Sequence, residues 1–276
     1  MGCELMLLKI SALQDLPGFQ EDWEEDMGVK EKVVIITGAA AGIGAATARL
    51  FAQHGAHLSL IDINEEGLKK VETDCRALNL NVLTLKRDAS MVAEIERAIN
   101  ETVERFGGID ILINNAIYRA IGPFLEIKED DFDRSMFTNI KGYFFFGQKV
   151  VPHMLKRGGG RVINMASTFA FVGSPNLSAY CTCKGAVATM TRAMALELGP
   201  MNIFVNAVAP GPTMTEGMRD LIERVPSVYE SRVRDVPIGR FGTPEEMAAV
   251  CLFLSSEKCS YMNGTVLVAD GGYLTH

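Results

Sequence analysis

The stretch VVIITGAAAGIG at residues 33–44 determines the fold class of this chain. Its first five residues are all β-branched, which favours a β-strand, and an amphipathic helical pattern follows the glycines. Gly38 permits a tight turn, Gly42 lets the backbone approach an anion, and Gly44 permits close packing of the helix. Free backbone N–H groups at the helix start, including that of Ile43, bind such an anion. The stretch therefore predicts the phosphate-binding turn of a dinucleotide.

The rest of the chain alternates short β-branched runs with longer amphipathic stretches, which is typical of a parallel sheet with crossover helices. Strands are predicted at Val33–Thr37, Leu58–Asp62, Val82–Lys86, Ile111–Asn114, Arg161–Ala166, Phe204–Val208 and Val266–Ala269. Helices are predicted at Ile43–His54, Glu65–Leu78, Val92–Phe106, Asp130–Leu155, Ala179–Leu198 and Pro244–Ser255. We expect one doubly wound α/β domain of the Rossmann type, with a seven-stranded parallel sheet and helices on both faces.

The charge of the chain is concentrated at its start. Of the net charge of -7, residues 1–29 contribute -6, because they hold seven acids against Lys9 alone. We therefore interpret residues 1–31 as an acidic N-terminal extension and residues 32–276 as the nucleotide-binding domain. With 48% hydrophobic and 22% charged residues, the composition is that of a globular protein and excludes a disordered chain.

Several classes of function are disfavoured by the sequence. No apolar run reaches the roughly 18 residues that span a bilayer, and no basic stripe suits nucleic acid. The six cysteines lack the paired spacing of a metal site or disulfide scaffold, and the four histidines form no ligand cluster. We expect a cytoplasmic protein without a metal, a membrane anchor or a nucleic-acid partner.

Asp62 stands at the end of the second predicted strand, eighteen residues beyond Gly44. A carboxylate there accepts hydrogen bonds from both ribose hydroxyls of NAD and repels the 2′-phosphate of NADP. Neither Ala41 nor Ile63, where a basic residue could meet that phosphate, carries a charge. The sequence favours NAD as the cofactor.

Tyr180 and Lys184 are four residues apart on a predicted helix, so both side chains project from one face. A free phenol has a pKa of about 10, and an ammonium at about 4 Å supplies at most about 4 kcal/mol, enough to bring that pKa near neutrality. Ser167 closes the strand that begins near Arg161, where its hydroxyl would bond a substrate oxygen. These residues predict proton transfer coupled to hydride transfer.

The chain resembles the short-chain dehydrogenase/reductase family over roughly residues 32–276. The matching motifs, in register along the chain, are Thr37–Gly44, Asn114-Asn115-Ala116, Asn139, Ser167, Tyr180–Lys184, Pro210-Gly211 and Asp270-Gly271-Gly272. The resemblance implies catalysis by Asn139, Ser167, Tyr180 and Lys184. It also implies that the family's common homotetramer forms through the helices at Asp130–Leu155 and Ala179–Leu198.

Further roles follow from the resemblance alone. It implies that Asn139 bends its helix and holds a water that relays protons to Lys184, which also binds the nicotinamide ribose. The remaining cofactor positions that it implies are Asp88 and Ala89 at the adenine, Asn115 at the adenosine ribose, and Thr213 and Thr215 at the carboxamide and phosphates.

The predicted substrate wall draws on residues 117–124 and 168–177 and on a lid from Met214 to about Pro237. Its apolar members, Phe124, Phe169, Phe171 and Leu177, favour a small-molecule alcohol or ketone with an alicyclic, aromatic or acyl body. Arg119 is interpreted as a solvated loop residue, with a bond to a substrate carboxylate as the alternative.

Two other functions stay open. The first is a 3-oxoacyl-carrier-protein reductase, which Asp62 disfavours because such enzymes usually prefer NADPH. The second is a non-catalytic NAD-sensing protein, which the complete set of Ser167, Tyr180 and Lys184 disfavours.

Overall fold

The computed structural model describes residues 27–78 and 81–275. Its strands are β1 (Val33–Thr37), β2 (His57–Asp62), β3 (Val82–Lys86), β4 (Ile111–Asn114), β5 (Gly160–Met165), β6 (Ile203–Pro210) and β7 (Val266–Ala269). They form one sheet in the order β3-β2-β1-β4-β5-β6-β7, and every adjacent pair is parallel. The predicted Rossmann-type sheet is confirmed.

The helices lie between the strands in sequence. Within the described residues the α-helices are α1 (Gly42–Gln53), α2 (Glu65–Arg76), α3 (Val92–Phe106), α4 (Glu129–Met136), α5 (Gly142–Lys156), α6 (Ser178–Leu198), α7 (Glu216–Arg224), α8 (Ser227–Val233) and α9 (Pro244–Ser255). None of these helices is both long and apolar enough to cross a membrane.

Two hydrophobic cores cover the two faces of the sheet. Val34 and Ile36 of β1 belong to the core that contains Phe51 of α1, whereas Ile35 belongs to the core that contains Phe146 of α5. Successive residues of a strand point to opposite faces, so an uninterrupted apolar run such as that of β1 needs helices on both. The core packing therefore explains why the central strand has no polar alternation.

The helix predicted at Asp130–Leu155 contains a turn of π-helix at Phe137–Lys141, which joins α4 to α5. The amide nitrogen Nδ2 of Asn139 donates to the carbonyl oxygen of Ser135 at 2.8 Å. In an α-helix that carbonyl accepts from the backbone N–H of Asn139. The side chain thus competes with the helical hydrogen bond at the position where the helix widens.

The predicted lid segment, which is rich in Met, Arg and Glu, contains two short helices that were not predicted, α7 and α8. Of the acidic extension predicted for residues 1–31, residues 1–26 lie outside the described residues.

The fold places a crevice at the carboxyl ends of the central strands. β1 pairs with β2 on one side and with β4 on the other, so the chain connections run in opposite directions from this point. Ligands of open α/β sheets bind outside the carboxyl ends of the strands at such a switch point.

Candidate active site

A cavity of about 1230 Å³ lies at this switch point. Its lining includes predicted site residues from both halves of the sheet, namely Gly38, Gly42, Ile43, Asp62, Asp88, Ala89, Asn115, Ser167, Tyr180, Lys184, Thr213 and Thr215. Gly44 and Asn139 are not part of the lining. Residues that are more than a hundred positions apart in sequence therefore share one volume.

The glycine turn at the carboxyl end of β1 depends on the absence of side chains. Gly38 has a φ of 66°, in the left-handed region that favours glycine, and a Cβ there would lie 2.8 Å from the Cα of Ala116. A Cβ on Gly44 would collide with the carbonyl oxygen of Gly38 and lie 2.6 Å from Nδ2 of Asn115. The turn, the start of α1 and the end of β4 are packed directly on one another.

Asn115 holds the glycine turn in place. Its Nδ2 donates to the carbonyl oxygens of Thr37 at 3.0 Å and of Gly38 at 2.9 Å. The Thr37 hydroxyl accepts in return from the backbone N–H groups of Asn115 and Ala116. Asn115, which is predicted to lie beside the adenosine ribose, thus also holds the glycine turn against the end of β4.

Two carboxylates lie at the nucleotide end of the cavity. Asp62 accepts from the backbone N–H of Ala40 at 3.0 Å and from that of Asn64 at 2.9 Å, which fixes its orientation at the end of β2. Asp88 accepts from the backbone N–H and the hydroxyl of Ser90. A fixed carboxylate at the Asp62 position suits ribose hydroxyls, so the residues present fit a dinucleotide.

Tyr180 and Lys184 lie on α6 and are both buried, with 5% and 1% of their surface exposed. The Lys184 ammonium lies 5.6 Å from the centroid of the Tyr180 ring and donates to the carbonyl oxygen of Met165 at 2.6 Å. Ser167 follows β5, and its hydroxyl accepts from the backbone N–H of Phe169 at 3.2 Å. The structure brings these three side chains together at the floor of the cavity.

The electrostatics of this group differ from the prediction. Burial lowers the pKa of Lys184 from 10.5 to about 7. Burial also raises the pKa of the Tyr180 phenol, although the charge of Arg119 and a hydrogen bond with Ser167 act to lower it. The predicted acidification of the phenol by Lys184 is therefore wrong for the protein alone, because loss of solvent outweighs the attraction of nearby positive charge.

Asn139 is fully buried and does not line the cavity. Its Nδ2 donates to the backbone carbonyl of Tyr118 at 2.6 Å as well as to that of Ser135. Its Oδ1 has no hydrogen-bond partner among the described residues. The amide fixes the loop after β4 and leaves an acceptor inside the protein, so its position fits the predicted bend and a bound water.

Sequence analysis missed Tyr143, which is 1% exposed. The Lys184 ammonium lies 5.3 Å from the centroid of its ring, and burial raises the pKa of its phenol. Tyr143 follows Asn139 by four residues, so the same helical spacing that joined Tyr180 to Lys184 could have identified it.

The segment after β6 lies beside the glycine turn. Thr213 donates to the carbonyl oxygen of Gly211 at 3.0 Å, and the Thr215 hydroxyl accepts from the backbone N–H of Met218 as the N-cap of α7. Oε2 of Glu216 accepts from the backbone N–H of Gly42 at 2.8 Å. A carboxylate thus already uses an amide of the predicted anion-binding turn.

The cavity draws on all three segments of the predicted substrate wall, but most of the apolar members predicted for it do not line the cavity. Only Phe169 of the four predicted apolar members lines the cavity. Leu177 is buried elsewhere in the protein at 4% exposure, whereas Phe171 and Phe124 are 46% and 78% exposed outside the cavity. Loop side chains have no periodicity from which their direction can be predicted. From the predicted segments the lining includes Ile117, Arg119, Ile121 and Arg232, and Tyr273 joins them from outside these segments.

Comparison with known proteins identifies the family. A family model described as enoyl-(acyl carrier protein) reductase matches residues 38–274. The crystal structure of a short-chain type dehydrogenase/reductase from Mycobacterium marinum superimposes with a TM-score of 0.85 at 32% sequence identity, covering 91% of this chain and 98% of its own. This chain belongs to the short-chain dehydrogenase/reductase family.

Relatives within the short-chain dehydrogenase/reductase family differ in the substrates that their names give. 3-Oxoacyl-(acyl-carrier-protein) reductase FabG of Thermotoga maritima is 39% identical over 246 residues, which are 89% of this chain and 99% of the relative. NAD-dependent glycerol dehydrogenase of Listeria innocua is 36% identical over 252 residues, which are 91% and 97% of the two chains. The chain is therefore an NAD(P)-dependent oxidoreductase acting on an alcohol or ketone. Its preferred cofactor and its substrate have to be inferred from its own site.

Proposed function

We propose that this chain transfers a hydride between NAD and a secondary alcohol or ketone that has an apolar body. The observation that carries the proposal is the joint placement of Ser167, Tyr180 and Lys184 in one cavity with the glycine turn and Asp62. Phe169, Ile117 and Ile121 supply the apolar part of its lining.

When bound, the nicotinamide accepts or donates the hydride. Ser167 and Tyr180 hold the substrate oxygen, and Tyr180 exchanges a proton with it. Because burial raises the pKa of Tyr180, its phenol is protonated at neutral pH, the form that gives a proton to a ketone oxygen during reduction. In the direction of oxidation the phenol first has to lose its own proton, and the phenolate then accepts the proton of the substrate hydroxyl. A protonated Lys184 favours that phenolate by its positive charge.

Support for NAD comes from Asp62. Two backbone amides orient its carboxylate at the edge of the cavity, where it suits the ribose hydroxyls and repels a 2′-phosphate. Neither Ala41 nor Ile63, which both line this edge, carries a compensating positive charge.

The test is Tyr180→Phe, assayed by NADH absorbance with a panel of secondary alcohols and ketones. Loss of the proton-transferring hydroxyl should lower kcat by about 100- to 10,000-fold. Binding of NADH, measured by its fluorescence, should change by less than about twofold because the nucleotide contacts remain. Tyr261→Phe is the matched control, since Tyr261 is fully exposed. Wild-type turnover in Tyr180→Phe would refute the proposed mechanism.

A second candidate, reduction of 3-oxoacyl groups on a carrier protein, is favoured by the 39% identity to FabG. Rates with NADH and NADPH, and with a 3-oxoacyl thioester against a free ketone, distinguish the two. Faster turnover of the thioester with NADPH would favour this candidate over the first.

We also propose a homotetramer assembled through the helical segment of α4 and α5 and through α6. In its support, apolar side chains lie on the exposed faces of these helices, with Leu196 81%, Phe144 46% and Leu155 44% exposed. Light scattering after size-exclusion chromatography gives the mass in solution, and a monomer would refute this assembly.

A further inference from the structure

Arg119 is exposed, as the sequence analysis predicted, and its guanidinium lies against the Tyr180 ring. Its guanidinium carbon lies 4.9 Å from the centroid of the Tyr180 ring and lines the cavity. The loop that carries it is fixed by buried groups, because the preceding carbonyl oxygen of Tyr118 accepts from Nδ2 of Asn139 and from the hydroxyl of Ser135. The backbone next to Arg119 is therefore fixed by the same residue that competes with the helical hydrogen bond.

Arg232 brings a second positive charge to the same end of the cavity. It lies on α8 and is half-buried against the lining that also includes Tyr273. Burial lowers the pKa of its guanidinium, and the positive charge of Arg119 lowers it further. Arg119 and Arg232 line the same cavity, so a ligand bound there has both cations among its neighbours.

Neither cation has an acidic partner. Other arginines pair closely, as Arg157 does with Asp110 at 2.9 Å and Arg240 with Glu246 at 2.6 Å. Across residues 27–78 and 81–275, no carboxylate lies within 4 Å of the Arg119 or Arg232 guanidinium, although Asp235 lines the same cavity. A cavity lined by positively charged side chains without nearby carboxylates attracts an anion.

The cofactor does not supply that anion. Its phosphates belong to the glycine turn and the start of α1, whereas Arg119 stacks on Tyr180 at the reacting end. A molecule whose oxygen bonds the Tyr180 hydroxyl lies beside the ring that the Arg119 guanidinium covers. The missing anion is thus part of the substrate.

We infer that the substrate is an oxo or hydroxy acid whose carboxylate, one or two bonds from the reacting carbon, binds Arg119 and Arg232. Planar guanidinium groups match a carboxylate through paired hydrogen bonds. In reduction, the hydride from NADH reaches the carbonyl carbon and Tyr180 gives its proton to the carbonyl oxygen, while the carboxylate undergoes no bond change. This inference rests on the proposed function and specifies its substrate class.

The test compares acids with their uncharged methyl esters, using pyruvate and acetoacetate against methyl pyruvate and methyl acetoacetate. The wild type should prefer at least one acid over its ester in kcat/KM by about tenfold or more. Arg232→Gln should lower kcat/KM for that acid by about tenfold, mainly through KM, and change the ester by less than about threefold. Arg119→Gln should lower kcat/KM for acid and ester alike, because the Arg119 charge also acts on the pKa of Tyr180, but should lower it more for the acid. Arg234→Gln is the matched control, because Arg234 is exposed on the same turn and does not line the cavity.

A binding measurement separates this inference from the proposed function. Acetoacetate or pyruvate should raise the melting temperature of the wild type, in the presence of NADH, more than it raises that of Arg232→Gln. Turnover of the esters without any preference for the acids, or equal losses for acid and ester in Arg232→Gln, overturns the carboxylate assignment alone. Binding of an acid that depends on both arginines, without reduction of any ketone, supports the carboxylate site and overturns the proposed reaction.

Discussion

Replacing Lys184 by methionine should make the protein more stable at neutral pH. Lys184 is 1% exposed, and burial lowers its pKa from 10.5 to about 7. In the unfolded chain the amine keeps its ordinary pKa, so between these values the unfolded state binds more protons than the folded state. The free energy of unfolding therefore rises with pH across this window, and the destabilisation by the buried lysine is fully present below about pH 7.

The structure gives the size of the effect. At about 1.4 kcal/mol per pKa unit, a fall from 10.5 to about 7 corresponds to about 5 kcal/mol at low pH. By the same linkage about 4 kcal/mol remains near pH 7 and about 2 kcal/mol near pH 9. Methionine also removes the hydrogen bond to the Met165 carbonyl, which costs about 1–3 kcal/mol at any pH. Lys184→Met should thus stabilise the protein by about 2 kcal/mol near pH 7.

Urea unfolding near pH 7 and near pH 9, at one protein concentration, measures this. Relative to Lys184→Met, the wild type should gain about 2 kcal/mol between the two pH values, a difference from which the lost hydrogen bond cancels. Lys156→Met, at an exposed position of α5, should follow the wild type at both. If Lys184→Met kept the pH dependence of the wild type, the lysine would not be destabilised by burial and the reasoning would fail.

Three further predictions concern the nucleotide end of the cavity. Asp62→Asn should raise the ratio of kcat/KM with NADPH to that with NADH by about tenfold, because it removes a charge that repels a 2′-phosphate. Gly44→Ala should lower the free energy of unfolding by about 1–3 kcal/mol, measured in urea, because its methyl group meets the Gly38 carbonyl. Glu216→Gln should tighten NADH binding in fluorescence titrations by about threefold, because its carboxylate bonds the Gly42 amide in competition with a phosphate.

Matched variants make each of these results specific. Asp74→Asn alters a carboxylate of a surface ion pair and should leave cofactor preference unchanged. Gly185→Ala adds a methyl group to α6 where no atom lies within 4 Å, so it should stabilise slightly. Glu223→Gln changes an exposed acid of α7 and should leave NADH binding unchanged. Equal effects of a variant and its control would contradict the corresponding argument.

The parts of the molecule that the sequence predicted are those with a local signature. The β-branched run before Gly38 indicated a central strand that is buried on both faces. The alternation of such runs with amphipathic stretches predicted the parallel sheet. Tyr180 and Lys184 share one face because they are one helical turn apart, a relation that is independent of the rest of the fold.

The parts that it could not predict depend on tertiary contacts. Arg119 lies in the loop after β4 and Arg232 on α8, and although both belong to predicted wall segments, neither local sequence indicates that its arginine lines the cavity. The direction of the Tyr180 pKa shift was wrong because it depends on burial, which the spacing to Lys184 does not reveal. Phe171 and Phe124 were assigned to the cavity by their apolar character alone, and their loops point them elsewhere.

Charge is distributed unequally along the cavity, and this asymmetry bears on function. At the nucleotide end Asp62 and Asp88 are bonded to nearby donors, and the arginine there, Arg87, is paired with Glu101 at 2.7 Å. At the reacting end Lys184, Arg119 and Arg232 have no carboxylate within 4 Å among the residues that the structure describes. Stability alone would favour neutral side chains at that end, as Lys184→Met is designed to show. Retaining Arg119 and Arg232 there is explained if the molecules that react beside Tyr180 bring negative charge with them.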